Sequence, residues 1–211
     1  AIPILFVRGD WMDELGLDEP KTVEDITNIV KAFKEKYGDS NSLVMSQNIV
    51  SENGNNTYGM DALFALYGAY PKHWVTDADG NLVYGSNTDE AEIRKLVEDG
   101  TIDASFTVRD SDQCAELVTS GQAGIFFGAW WNMSWPLNNM VEEDPNIYWN
   151  AYLAPLTDDG TYNTATLCPS SSFMVIKAGA SEEVKEAAVK VMNYQFDIDQ
   201  DQGESLKSNP S

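Results

Sequence analysis

Three indoles stand close together in GIFFGAWWNMSWP, residues 124–136: Trp130, Trp131 and Trp135, interleaved with Asn132 and Ser134. Gly124 to Gly128 reads as a short apolar strand, and the polar residues and Pro136 cannot continue it. Core packing is the plain use of an indole, which buries roughly 150 to 250 Å² of surface. Adjacency argues against that use for all three. Beyond a strand end Trp130 and Trp131 point in different directions, and Asn132 and Ser134 bring hydrogen-bonding groups that a core leaves unsatisfied. The pattern predicts one indole packed inward and another facing a cleft. An exposed indole beside amide and hydroxyl groups suits a pyranose ring, whose C–H face stacks on the aromatic while its hydroxyls take the polar contacts. Burying roughly 80 Å² on each side gives about 4 kcal/mol before binding entropy is subtracted. Micromolar affinity requires about 8 kcal/mol, so several such contacts must converge.

Other chemistry is weakly supported. His73 is the only histidine, and a Ser-His-Asp or Cys-His mechanism would have to be built on it. Its setting, YPKHWV, reads as a loop beside an aromatic, where a surface or hydrogen-bonded histidine is the simpler expectation. G-x-S-x-G, G-x-x-x-x-G-K, G-x-G-x-x-G and H-E-x-x-H do not occur. A two-carboxylate glycosidase needs only a suitably spaced acid pair, and 34 Asp and Glu supply candidates without marking any one of them. An acidic carbohydrate-active enzyme with a carboxylate pair in the same cleft is therefore the alternative reading, and a structural module with every indole buried is a third.

No metal site or cofactor is expected. In WVTDADGNLVYG, aligning Asp77, Asp79 and Asn81 with the first ligands of an EF-hand puts Leu82 where Gly is required and Thr88 where the bidentate Glu belongs. The cluster reads as a hairpin turn at Asp79-Gly80. Cys114 and Cys168 form no C-x-x-C and no Cys/His cluster, so zinc is not suggested. Two buried thiols are the first reading and a disulfide formed in an oxidising compartment the second.

Thirteen Lys and Arg against 34 Asp and Glu give the 211-residue chain a formal charge of -21 and a pI near 4.1. Such a surface repels phosphate backbones, so nucleic acid is excluded as a partner class. A composition 43% hydrophobic and 11% aromatic fits one or two packed domains. No apolar run approaches the roughly 20 residues that span a bilayer, and the opening AIPILFVRGDW carries neither a basic n-region nor a cleavage pattern. PILFVR reads as a strand already under way, and the chain is expected to be cut from something longer.

The elements that must position these residues alternate. After the opening strand, Thr22 and Asp25 frame a capping box, Ile26, Ile29, Val30, Phe33 and Tyr37 recur at helical spacing, and Gly38 ends the pattern, which predicts a helix over 23–37. SLVMS (42–46) reads as a strand. Met60, Leu63, Phe64 and Tyr67 predict a helix over 58–69 opening at Tyr58. Short helices follow at Ile93–Val97, stopped by Gly100, and at Cys114–Val118, capped at Asp110 or Ser111 and stopped by Gly121. GIFFG, IYWNAYLAPL and SFMVIKAG are strands, SEEVKEAAVKVMNYQF is a helix with Val184, Ala187, Ala188 and Val191 on one face, and DIDQDQGESLKSNPS is a frayed tail. Strands and helices alternate throughout, which predicts an α/β fold.

The order of segments resembles a known family. GDWMDELGLDEPKTVEDITNIVKAFK, DGNLVYGS, EDGTIDASF, AELVTSGQAGIFFGAWW, YLAPLTDDGTY and FMVIKAGASEEVKEAAVKVMNYQF are similar, in that order, to the second lobe of bacterial extracellular solute-binding proteins of family 1, the sugar-binding lipoproteins of ABC importers. More distantly they resemble maltose-binding protein. The resemblance covers about residues 4 to 197, and GQAGIFFGAWW is its most specific part. It implies a type II periplasmic-binding-protein fold, in which two α/β lobes hold ligand between them, and here mainly the second lobe: residues 1–164 as that ligand-embracing lobe, and 165–211 as a crossover and a partial return to the first. It implies a non-enzymatic, monomeric protein that captures an oligosaccharide and presents it to the ABC permease, extracellular and lipoprotein-anchored, or periplasmic. Trp130 falls where the family places its sugar-stacking indole. The remaining site candidates are Trp131, Asn132, Tyr58 at its predicted helix start, Trp74 beside the hairpin, and Ser170, Ser171 and Ser172 near the crossover. The helix between Gly85 and Gly100 is about a turn shorter than the family pattern.

Overall fold

Ile4–Arg8 forms strand β1, an apolar run from Ile4 to Val7 closed by Arg8 and buried from Leu5 onward. The computed structural model describes residues 2–50, 57–77, 79–85, 91–165 and 174–201, and the chain divides into two units, Ala1–Cys168 and Pro169–Ser211. Within the first, β1 is flanked on both sides by antiparallel partners. Ile125–Gly128 (β4) pairs Phe126 with Phe6, and Trp149–Tyr152 (β5) pairs Ala151 with Phe6, so the order is β4-β1-β5. The predicted strand at 42–46 is reduced to two parallel bridges, Val44 to Phe126 and Leu43 to Ile102, which extend the sheet beyond β4.

The pleat sorts the apolar run between two cores. Leu5, Val7, Ile125 and Phe127 face one side, while Phe6 and Phe126 face the other, their rings stacked at 5.2 Å. A strand buried on both faces needs no polar alternation. The first face is covered by helix α1 (Gly9–Leu15) through Trp11 and Met12, by α2 (Val23–Tyr37) through Ile26, Ile29, Val30 and Phe33, by α3 (Asp61–Leu66) and by α4 (Ala91–Glu98). On the second lie α5 (Ser111–Thr119), which contributes Cys114, Ala115 and Val118, and α6 (Leu137–Glu143), which contributes Leu137 and Met140. The unit is a layered α/β sandwich, as alternation predicts. Gly124 is required where β4 begins, since a Cβ there would lie 2.6 Å from the Trp11 ring.

Caps agree with the sequence. Thr22 and Asp25 exchange both hydrogen bonds of the capping box at α2, and Asp110 with Gln113 does the same at α5. The hairpin pairs β2 (Trp74–Thr76) with β3 (Leu82–Tyr84). Asp77 Oδ1 accepts the N–H groups of Asp79 and Asn81 across the turn, and Gly80 takes φ 84°. Acidic side chains are spent here on closing a turn.

One helix begins later than predicted. Tyr58 has φ 64°, outside helical space, and its backbone is taken by strand-like bonds: its N–H donates to Phe127 O at 2.7 Å and its carbonyl accepts Ser46 N–H. Only at Asp61 does α3 start. In the second unit, 174–177 carry no strand where SFMVIKAG predicts one, and helix α7 (Glu182–Asp201) runs past Phe196 into the segment expected to fray. Among the described residues no helix is long and apolar enough to cross a membrane.

Candidate functional site

Three segments meet at one end of the sheet. Val44 runs parallel to β4, so the chain after residue 44 and the chain after Gly128 leave in the same direction, and antiparallel β1 starts there. Tyr162 also reaches this end, its hydroxyl donating to Pro3 O at 2.6 Å. In layered α/β proteins, loops beyond the carboxyl ends of parallel strands are where ligands bind.

Asn132 builds the loop after β4. It sits in a short 3₁₀ turn, Trp130–Met133, with its side chain fully buried. Its Oδ1 accepts the Ala129 N–H at 2.7 Å and the Thr57 hydroxyl at 3.0 Å, and its Nδ2 donates to Trp135 O at 3.3 Å. One amide therefore closes the turn on itself and ties it to the segment at Thr57. The carboxamide fits under the turn because residue 128 is glycine.

That scaffold leaves the indoles in unequal places. Trp130 is 63% exposed, Met133 57% and Trp135 49%, whereas Trp131 is half-buried. Side chains three apart in a 3₁₀ turn eclipse, so Trp130 and Met133 share a face. Two of the three indoles are thus exposed and the third is half-buried, so none is packed fully inward as the sequence pattern predicts. Tyr58, by contrast, is buried in the second core against the Phe126 ring at 5.1 Å, and its hydroxyl has no hydrogen-bond partner among the described residues. Burial pushes its pKa up. Trp74 is 65% exposed at the start of β2, faces Tyr84 at 5.5 Å, and lines a cleft of about 310 Å³ with Tyr70, His73, Val75, Thr164 and Ala165. Ser170, Ser171 and Ser172 lie outside the described residues.

A profile of the bacterial extracellular solute-binding protein family matches residues 2–201. The chain belongs to that family. Among individual proteins, it is 30% identical over 140 residues to the lipoprotein LipO of Bacillus subtilis, covering 57% of this chain and 25% of LipO. It is 29% identical over 145 residues to FusA of Streptococcus pneumoniae, a fructooligosaccharide ABC transporter substrate-binding protein, covering 64% of this chain and 26% of FusA. The chain thus spans about a quarter of the length of these relatives. The crystal structure of the alginate-binding protein AlgQ2 without calcium ion superposes with a TM-score of 0.57 at 14% identity, over 75% of this chain and 33% of that one. At that identity the match speaks for the fold, the type II architecture of periplasmic solute-binding proteins.

The structure brings Asn132, Trp130 and Trp131 together in one turn and ties them through Thr57 to the segment entering Tyr58. The sequence reading did not single out Thr57, because the pairing joins residues 75 positions apart. Nor did it select Met133, whose exposure follows only from its place opposite Asn132 in the turn.

Proposed function

We propose that this chain is the ligand-embracing lobe of an extracellular oligosaccharide-binding protein serving an ABC importer. The observation that carries the reading is Trp130, a large indole held 63% exposed at the sheet end by a fully buried asparagine. Fixing an apolar face in water costs solvation unless something covers it, and a sugar ring supplies an apolar C–H face with hydroxyls at its rim. Trp130 is the main stacking platform and Trp131 its partner, Trp74 offers a second platform, and Asn132 and Tyr58 position the loop from beneath. Residues 1–164 form the embracing lobe and 165–211 the crossover, the functional protein is a monomer, and it is displayed outside the cell on a lipid anchor for its permease. Names of relatives support this: one is a lipoprotein and another binds fructooligosaccharides.

The test is a tryptophan-fluorescence titration with a panel of oligosaccharides, run beside Trp130→Ala and assayed for new reducing ends. A saturable change that is lost in the variant, without hydrolysis, is expected. Released reducing ends would replace the binding reading with the glycosidase one.

A further inference from the structure

We infer that Thr57 is a positioning residue for binding: its buried hydroxyl holds the Trp130 turn in the orientation that meets a sugar ring, and ligand affinity depends on that hydrogen bond. The inference rests on the carbohydrate reading above for its ligand and adds a residue that acts on it through Asn132.

Local bonds shape the turn but do not place it. Asn132 N–H donates to Ala129 O, the Ser134 and Trp135 N–H groups donate to Trp131 O, and the Asn132 side chain closes on Ala129 N–H and Trp135 O. All of these bonds join neighbours and would travel with the turn if it tilted. Among the described residues, the Thr57 hydroxyl supplies the side-chain bond that ties the turn to a distant segment, reaching Asn132 Oδ1 at 3.0 Å from 75 positions away, with both residues buried. Trp130 stands two residues before that anchor and is largely exposed, so its own packing fixes little. Its direction is inherited from the backbone beneath it, and a binding group is only as well placed as the residues that support it.

The residue after Thr57 holds it in place. Tyr58 takes φ 64°, a left-handed conformation that an aromatic residue rarely adopts. It is kept there because its N–H donates to Phe127 O at 2.7 Å, its carbonyl accepts Ser46 N–H at 2.8 Å, and its ring is buried against Phe126. Strain of this kind persists only where the surrounding structure over-determines the residue, and here the neighbouring side chain it steadies is the donor under the indole turn. Phe127 belongs to β4, the strand that feeds the turn, so Tyr58 N–H and the Thr57 hydroxyl grip the same stretch of chain on either side of Gly128. The β-branched Thr57 side chain has few rotamers, which limits where its hydroxyl can lie.

The experiment compares the whole chain with Thr57→Val and Thr57→Ser, each labelled with 5-fluorotryptophan, the Trp130 resonance being assigned by Trp130→Phe. Thr57→Val keeps the shape of the side chain and removes the donor, while Asn132 Oδ1 retains the Ala129 N–H, so the fold should persist and urea unfolding verifies it. Thr57→Ala is the second donor-free variant, used where Val does not fold. The fluorine resonance of Trp130 should shift or broaden in the donor-free variant while that of buried Trp11 stays, and Thr57→Ser should return it to its place. Calorimetric titration of the unlabelled proteins with fructo-, galacto-, xylo- and malto-oligosaccharides should show the best ligand bound about tenfold more weakly without the donor and restored by Thr57→Ser, because apparent affinity falls with the fraction of molecules in the competent orientation. A Trp130 resonance that does not move, an affinity that does not change, or a Ser variant that behaves like Val overturns the inference while leaving the carbohydrate reading intact. Absence of heat from the unmodified chain with every oligosaccharide overturns the carbohydrate reading itself, and the inference with it.

Discussion

Gly128 and Asn132 occupy adjoining space: a Cβ on Gly128 would stand 2.5 Å from Asn132 Oδ1. The last residue of β4 must therefore lack a side chain for the asparagine to fold back under the turn that presents Trp130. Gly128→Ala pushes the amide off its two donors and is expected to cost about 1–3 kcal/mol, the usual range for overpacking. Asn132→Ala leaves the Ala129 N–H and the Thr57 hydroxyl unpaired and should cost a similar amount, about 1–3 kcal/mol. Because both substitutions break the same contacts, the double variant should lose less than the sum. Urea unfolding of the four proteins checks this, and strict additivity would show that Asn132 is not the shared element.

Trp130 and Phe126 are expected to behave oppositely although both are aromatic residues of one segment. With 63% of its surface exposed, Trp130 supports little of the fold, and Trp130→Ala should change stability by no more than about 0.5 kcal/mol. Phe126 is fully buried against the rings of Phe6, Tyr58 and Trp149, so Phe126→Ala should cost about 3–5 kcal/mol. The comparison is made by thermal or urea unfolding. A large loss for Trp130→Ala would mean that the indole is structural and would remove the main support for the binding site.

What the sequence disclosed and what it hid divide along contact range. The α2 boundaries and its capping box were legible because Thr22 and Asp25 bond within one turn, and the hairpin because Asp77 closes on Asn81. The alternation of elements and the order of segments disclosed the α/β class and the family. By contrast, Tyr58 sits at an apolar position in a helical pattern, and only the backbone bonds to Phe127 and Ser46 keep it out of the helix. In the candidate site the outward indole was predictable from adjacency. The burial of Asn132 was not, since its partner Thr57 comes from another segment.

The capping box of α2 should be visible in acid. Asp25 accepts the N–H groups of Lys21 and Thr22, and those bonds hold its carboxyl below the ordinary 3.8, the Lys21 bond foremost. A carboxylate with a lowered folded pKa contributes stability that is complete above the unfolded value and disappears as pH falls through the folded one. Asp25→Asn should therefore flatten the part of the stability profile below about pH 4 while changing little near neutrality. Thr22→Ala, which removes the other half of the box, should cost about 1 kcal/mol at neutral pH. An unchanged acid limb in Asp25→Asn would mean that other carboxylates govern it.

At the alkaline end the second core makes the reverse prediction. Cys114 is a buried free thiol whose Sγ contacts Met45 O at 3.4 Å, and burial pushes its pKa from the ordinary 9.0 up to about 12. Tyr58 shares that core and is raised too, first by burial and then by a Cys114 thiolate. For a group whose folded pKa is raised, the contribution is intact below the unfolded value and is lost as pH climbs through the folded one. Stability should thus decline between about pH 9 and 12, and Cys114→Ala should make that decline shallower by removing one of the two titrating groups. A Cys168→Ser background leaves Cys114 as the only thiol, so the same protein can be probed with iodoacetamide at pH 8. Alkylation should be slow in native buffer and fast in urea. Rapid labelling of the folded protein would show that the layer of α5 over Phe126 opens readily, and then Cys114→Ala should leave the alkaline decline unchanged.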